Sequence, residues 1–267
     1  MKAQVVEQVT VAQAKTAIAQ TAALYFAKDA NGRYRIDRRR ARPVCLMGPA
    51  GIGKTEVVRQ VAEEQGLAFL SYSVTHHTRQ SAIGLPRLSE CEVDGRTVPI
   101  TEYTMSEIIA EVYRVMRESG KKEGILFLDE FNCESETLRP IMLQLLQSKT
   151  FGPHTIPDGW MLVLAGNPSE YNVSARALDA VTADRLRMLW LQPDYNAWRA
   201  YMVSRGVHPV VLSYLDDHRR QFYVFEKGKD GEALVTARGW EDLSVMLRIP
   251  RRSALCRPVH SVSSGRA

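Results

Sequence analysis

No stretch of the sequence approaches the roughly 18 uninterrupted apolar residues that a membrane-spanning helix requires. The segment Met1 to Thr10 mixes Lys2, Glu7 and several glutamines, without the basic start, apolar run and small-residue cleavage site of a secretory signal, so a cytoplasmic location is expected. Cysteine is scarce and scattered. Cys45, Cys91, Cys133 and Cys256 form no CxxC pair and have no histidine at ligand spacing, which excludes a zinc knuckle or a redox motif and predicts buried free thiols. No NKxD base-reading motif is present, which counts against a GTPase. The net charge is only +5, and the excess is concentrated in Arg33 to Arg42 and the last twenty residues, a weak signal for a nucleic-acid partner. What remains is an ordinary globular composition, 45% hydrophobic and 24% charged, on 267 residues, enough for a large domain with a small one.

Hydrophobic periodicity predicts a helix over Val11 to Lys28, followed by a turn at Asn31-Gly32 and a solvated basic connector, Arg38 to Arg42. Pro43 to Met47 reads as a strand, Lys54 to Gln65 as a helix and Leu67 to Val74 as a second strand. Thr75 to Arg96 is polar and aperiodic, expected to be a long functional loop or hairpin. Helices are expected at Ser106 to Glu118, Ser135 to Gln147 and Ala175 to Arg185, with strands at Gly124 to Leu128, Trp160 to Ala165 and Arg187 to Leu191. This alternation predicts an α/β fold with a doubly wound parallel sheet. Beyond Pro193 the pattern becomes helical, at Asn196 to Ser204, Pro209 to Asp217 and Arg238 to Leu247, without intervening buried strands. The expected organisation is therefore an N-terminal helix and linker over 1–41, a core domain over 42–192, a small helical lid domain over 193–248 and a poorly ordered tail over 249–267.

The residues Gly48, Pro49, Ala50, Gly51, Ile52, Gly53, Lys54 and Thr55 fit G-x-x-x-x-G-K-[ST], placed after an apolar strand and before a helix. Glycines let the backbone curl so that consecutive N–H groups face phosphate oxygens, and the following helix adds its positive end. Lys54 then serves the β- and γ-phosphates, and the Thr55 hydroxyl serves Mg²⁺. ILFLDEFN, residues 125–132, puts Asp129 and Glu130 at the end of a buried strand, where doubly wound sheets bind ligands. Asp129 is the expected metal residue, and Glu130 the general base for water attacking the γ-phosphate. The strand in MLVLAGNP, residues 161–168, ends at Asn167, whose amide suits either that water or a turn before Pro168. His76 and His77 lack a third ligand and are expected to make loop contacts, while Trp198, Tyr201, Trp240 and Phe222 to Phe225 read as small-domain core rather than stacking surfaces.

The P-loop, ILFLDE and VLAGNP, in this order and spacing, resemble the AAA+ superfamily. HTRQSAIGLP at His77 to Pro86, PDGW at Pro157 to Trp160 and the ALDAVTADRLR segment resemble its MoxR-type branch, over roughly Arg42 to Leu247. The resemblance implies Mg-ATP hydrolysis and a ring of subunits, six by family habit. It also implies remodelling of a protein partner, commonly one with a von Willebrand factor A domain. By the same resemblance Asn167 is a sensor of nucleotide state, Arg185 a finger for a neighbouring subunit's ATP with Arg176 and Arg187 as rivals, and Arg238 a second sensor. The alternative is a nucleic-acid ATPase of the helicase-loader or transposition-regulator type, favoured by the Arg-rich segments. A nucleotide switch without turnover has no need of Glu130, Asn167 and Arg185 together.

Overall fold

The computed structural model describes residues 8–228 and 231–249. They fall into two compact units divided between Asp194 and Tyr195. The first unit opens with β1 (Gln8–Val9) and α1 (Val11–Tyr25). The Thr10 side chain accepts the Gln13 N–H while the Gln13 side chain accepts the Thr10 N–H, a reciprocal cap that fixes the helix start. Then come β2 (Val44–Met47), α2 (Lys54–Glu64) and β3 (Ala68–Ser73). The aperiodic stretch that follows is not featureless. It holds a short helix, α3 (Arg79–Ile83), and the hairpin of β4 (Pro86–Val93) and β5 (Arg96–Tyr103). Asp94 and Gly95 turn it with φ of 51° and 73°, the paired positive values that match the right-handed twist of the flanking strands. Both strands are largely solvent-exposed, which removes the alternation that a half-buried strand would have written into the sequence.

The unit continues with α4 (Glu107–Ser119), β6 (Gly124–Asp129), α5 (Arg139–Ser148), β7 (Thr150–Phe151) and β8 (His154–Thr155). It closes with β9 (Trp160–Gly166), α6 (Ala180–Asp184) and β10 (Arg187–Leu191). Two helices start later than their periodicity predicts. Before α5, Phe131–Cys133 forms a single 3₁₀ turn, and Pro140 is accommodated in the first turn of the helix, where its missing N–H costs nothing. Before α6, Asp179 accepts the Thr182 N–H and caps the helix, so the stretch from Ala175 to Asp179 stays irregular.

Six strands form one parallel sheet in the order β1-β10-β2-β9-β6-β3. On one face Cys45, Met47, Leu126, Leu128, Leu162 and Leu164 pack against Ile108, Ile109 and Val112 of α4 and Ile141, Met142 and Leu145 of α5. The alternate strand residues Val44, Leu46, Ile125, Phe127 and Val163 are buried too, on the side where α1 and α2 lie. Burial on both faces explains the continuous apolar runs of β2, β6 and β9. The sheet order has one consequence for chemistry. β9 lies between β2 and β6, so the end of the Asn167 strand separates the P-loop from the acidic pair.

The second unit comprises α7 (Tyr195–Ser204), α8 (Pro209–Asp217), β11 (Val224–Gly228), β12 (Gly231–Val235) and α9 (Ala237–Arg248). Its helices fall where expected, but the antiparallel β11–β12 hairpin between α8 and α9 corrects the all-helical expectation. The core is Tyr195, Met202, Val207, Val211, Leu215, Phe222 and Ala237, with Trp198, Tyr201, Tyr223 and Trp240 packed on it. Phe222 sits 5.2 Å from the Trp198 ring and 5.4 Å from Tyr195, and Trp240 Nε1 donates to the Phe222 carbonyl. These aromatics hold the unit together. The tail expected to be poorly ordered, apart from Ile249, and Cys256 lie outside the described residues.

The other thiols divide. Cys45 is fully buried on β2 and its thiol is pushed up to about 12 by burial, as expected of an inert core cysteine. Cys91 departs from expectation: it lies exposed on the β4–β5 hairpin.

Candidate functional site

The loop after β2 curls through Gly51 and Gly53, at φ of 72° and 91°, a conformation other residues adopt only with strain. Gly48 is required for a different reason: a Cβ there would stand 2.7 Å from the Leu191 carbonyl oxygen at the end of β10. No side chain caps the N-terminus of α2, which leaves its first N–H groups directed at whatever the loop holds. Lys54, at the first helical position, is buried and its Nζ donates to the carbonyls of Gly48 (2.9 Å) and Pro49 (2.8 Å) and to Asn167 Oδ1 (2.8 Å). The lysine therefore bridges the P-loop to the end of the neighbouring strand.

At the end of β6, Asp129 uses both oxygens. Oδ2 accepts from the Thr55 hydroxyl at 3.2 Å and Oδ1 from the Glu130 N–H at 2.9 Å. Glu130 adopts φ 55° and ψ 33°, a left-handed conformation that costs a side-chain-bearing residue on the order of 1–2 kcal/mol. Such strain persists where surrounding contacts over-determine it, and it gathers at functional sites. Here the Ser73 hydroxyl (2.9 Å) and the Thr75 hydroxyl (2.8 Å) both donate to Glu130 Oε2. Ser73 ends β3, opposite Asp129 in the parallel register, so the sheet itself delivers the hydroxyl to the carboxylate.

Beyond the acidic pair, Asn132 is buried and makes three side-chain hydrogen bonds. Its Nδ2 donates to the carbonyls of Asn167 (2.8 Å) and Arg176 (3.1 Å), and its Oδ1 accepts the Asn167 N–H (3.2 Å). Close packing accompanies this clamp, since a Cβ on Gly166 would stand 2.5 Å from Asn132 Oδ1 and 2.8 Å from Met47 Sδ.

Lys54, Thr55, Asp129, Glu130 and Asn167 thus meet at the C-terminal ends of β2, β9 and β6. The candidate fingers separate. Arg187 begins β10 beside Val44, at the opposite end of the sheet, and donates through Nη1 to Thr21 Oγ1 at 2.7 Å. Arg185 also precedes β10; its guanidinium is bonded to the Val181 carbonyl, and with the Gln147 amide turned to accept, Gln147 Oε1 lies 3.0 Å from Nε. β10 rises roughly 13 Å from Arg187 to Leu191 at about 3.3 Å per residue, so both arginines are remote from their own P-loop. Arg176 lies at the C-terminal end of the sheet, where its backbone N–H donates to the Asn132 carbonyl and its side chain pairs with Glu136 at 3.1 Å. Arg238 belongs to the second unit, exposed in the first turn of α9. A cation there meets the positive end of the helix, so helix stability does not account for it.

His77 stacks on Tyr72 at 4.2 Å, its Nδ1 is 3.0 Å from Ser81 Oγ, and burial lowers its pKa. Among the described residues no three His, Cys, Asp or Glu groups converge as a metal cage. Thr55 and Asp129 alone fit what Mg²⁺ asks of a protein when phosphates and waters complete its shell. Ser73, Thr75 and Asn132 are the polar residues at this site that the sequence did not single out. None of the described helices is long and apolar enough to cross a membrane.

The profile of the ATPase family associated with various cellular activities (AAA) matches residues 44–147, from β2 through most of α5. A Lon protease from Fusobacterium nucleatum is 29% identical over 120 residues, 42% of this chain and 14% of that protein. Among solved structures, the Thermotoga maritima RuvB Holliday junction branch migration motor is 15% identical with a TM-score of 0.38, over 68% of this chain and 44% of that one. A point mutant of the same RuvB gives 16% and 0.36, over 57% and 38%. The chain thus spans less than half the length of each of these relatives.

Proposed function

We propose that the chain, whose residues 44–147 match the profile of the ATPase family associated with various cellular activities, hydrolyses Mg-ATP between β2, β9 and β6. The observation that carries this reading is the convergence of Lys54 on Asn167 at 2.8 Å and of Thr55 on Asp129 at 3.2 Å, next to an oriented carboxylate. The loop N–H groups and the start of α2 hold the phosphates, and Lys54 exchanges a carbonyl or Asn167 contact for a γ-phosphate oxygen. Mg²⁺, held by Thr55 and Asp129, would supply charge neutralisation at the β- and γ-phosphates. Glu130 accepts the proton of a water aligned for attack on phosphorus, as the bond to the ADP oxygen breaks. Asn167 orients that water or the γ-phosphate.

Arg185 is remote from its own site, which suits a finger that completes the site of another copy. That placement, with the MoxR-type resemblance, supports a ring in which turnover moves a protein partner. Supporting tests are ATP hydrolysis against protein concentration and the mass with ATP bound. The ring reading expects specific activity to rise with concentration alongside a larger particle, whereas flat activity from a monomer overturns it. Stimulation of turnover by DNA, with no effect of a protein partner, would select the nucleic-acid alternative.

A further inference from the structure

The amide of Asn132 spends every bond it makes on the backbone of the segment that follows β9. It takes the N–H and gives to the carbonyl of Asn167, and gives again to the carbonyl of Arg176. The Arg176 N–H returns a bond to the Asn132 carbonyl at 2.9 Å. A second tie runs beside it, from Asn172 Nδ2 to Cys133 Sγ at 3.3 Å. The 3₁₀ turn of Phe131–Cys133 is therefore stitched to both ends and the middle of 167–176, and it directly follows the strained Glu130. Nothing solvent-facing explains the choice of asparagine: the side chain is 3% exposed, and no other neutral side chain of its size supplies both an acceptor and two donors.

We infer that Asn132 is a positioning residue that sets where the Asn167 amide stands relative to Lys54 and Glu130, and links that placement to the 168–176 segment. The inference rests on the ATPase reading, because the alignment matters only if Asn167 serves the reacting phosphate. A hydrogen bond exchanged between Lys54 and Asn167 when phosphate arrives is then transmitted through Asn132 to the backbone of Arg176, rather than absorbed by a loose loop. Buried polar groups that lose one partner are left unsatisfied, so partial removal of this clamp disturbs more than its exposed equivalent.

Two substitutions separate the roles. Asn132→Asp keeps the acceptor for the Asn167 N–H and loses both donations, whereas Asn132→Leu keeps the volume and loses all three bonds. Steady-state kinetics, fluorescent ATP-analogue binding and backbone hydrogen exchange are read on each variant and on the parent chain. Both variants are expected to turn over ATP roughly tenfold to a hundredfold more slowly, with KM and nucleotide affinity within about threefold of the parent. In Asn132→Leu the 167–176 amides exchange faster without nucleotide, while α2 and β6 keep their protection. A kcat within twofold of the parent in Asn132→Asp overturns the inference, as does unchanged exchange over 167–176 in Asn132→Leu. So does a parallel loss of protection across the sheet, the mark of a purely structural role. A parent chain that never turns over ATP defeats the ATPase reading instead, and the exchange measurement still decides whether Asn132 holds the segment.

Discussion

The two ends of one parallel sheet are built from the same strands and put to different uses. At the C-terminal end polar side chains bond across neighbouring strands: Lys54 to Asn167, Thr55 to Asp129, and Ser73 and Thr75 to Glu130. At the N-terminal end the polar side chains bond to covering elements: Arg187 to Thr21 of α1, Arg185 to Val181 and Gln147, and Tyr34 to Glu123. A parallel sheet makes this asymmetry unavoidable, because every strand delivers its following loop, and each helix N-terminus, to the same edge. One edge becomes a site and the other a foundation, and Arg185 is the residue for which that division is least comfortable.

Arg185→Ala offers the sharpest way to break the comparison. If Arg185 serves a neighbouring copy, turnover falls by ~10³ with ATP binding retained, measured by steady-state hydrolysis and equilibrium binding. A loss confined to thermal stability would return Arg185 to the foundation. At the site end, Lys54→Ala is expected to weaken ATP binding roughly a hundredfold, as charge-assisted contacts to phosphate are lost; titration with a fluorescent ATP analogue reads this. Arg187→Ala should do the opposite of Arg185→Ala: it removes a part-buried bond to Thr21, costs about 1 kcal/mol, lowers Tm by roughly 2–4 °C and leaves kcat unchanged.

A pH-dependent effect concerns Lys149, just after α5, whose ammonium is buried with one hydrogen bond to the Leu146 carbonyl and whose pKa falls to about 8 through burial. The unfolded chain holds that proton up to about 10.5, so it binds more protons than the native state between these values and stability rises with pH there. The destabilisation is fully present below about pH 8. Lys149→Met should therefore be more stable than the parent at pH 7, and chemical denaturation should show the gap narrowing as pH rises from about 8 through about 10.5.

Much of this comparison was legible in sequence wherever the information is contiguous. The P-loop announces itself because its glycines, lysine and threonine act within eight residues of one loop. The burial of β2, β6 and β9 on both faces leaves unbroken apolar runs, and Asp129 and Glu130 end one of them. What failed to show is what depends on strand order. Ser73 is one serine among many until β3 is laid against β6, and the Asn132 clamp exists only once β9 lies beside β6. The β11–β12 hairpin did not show because its strands lie among aromatics whose spacing also suits a helical core, while at β4–β5 the sequence left loop and hairpin open because exposed strands lack alternation. Local caps displaced the starts of α5 and α6, since Asp179 and Pro140 act over single turns that periodicity does not resolve.

The claim on which the rest depends is that the C-terminal edge splits ATP with Glu130 as the base, and Glu130→Gln tests it most directly. The substitution keeps size and hydrogen bonding but removes the proton acceptor. Hydrolysis should fall by roughly 10²–10⁴ while ATP binds as tightly as to the parent, so that bound nucleotide recovered from the variant is ATP rather than ADP. Turnover by Glu130→Gln at the parent rate would contradict the account and move the chemistry away from this carboxylate.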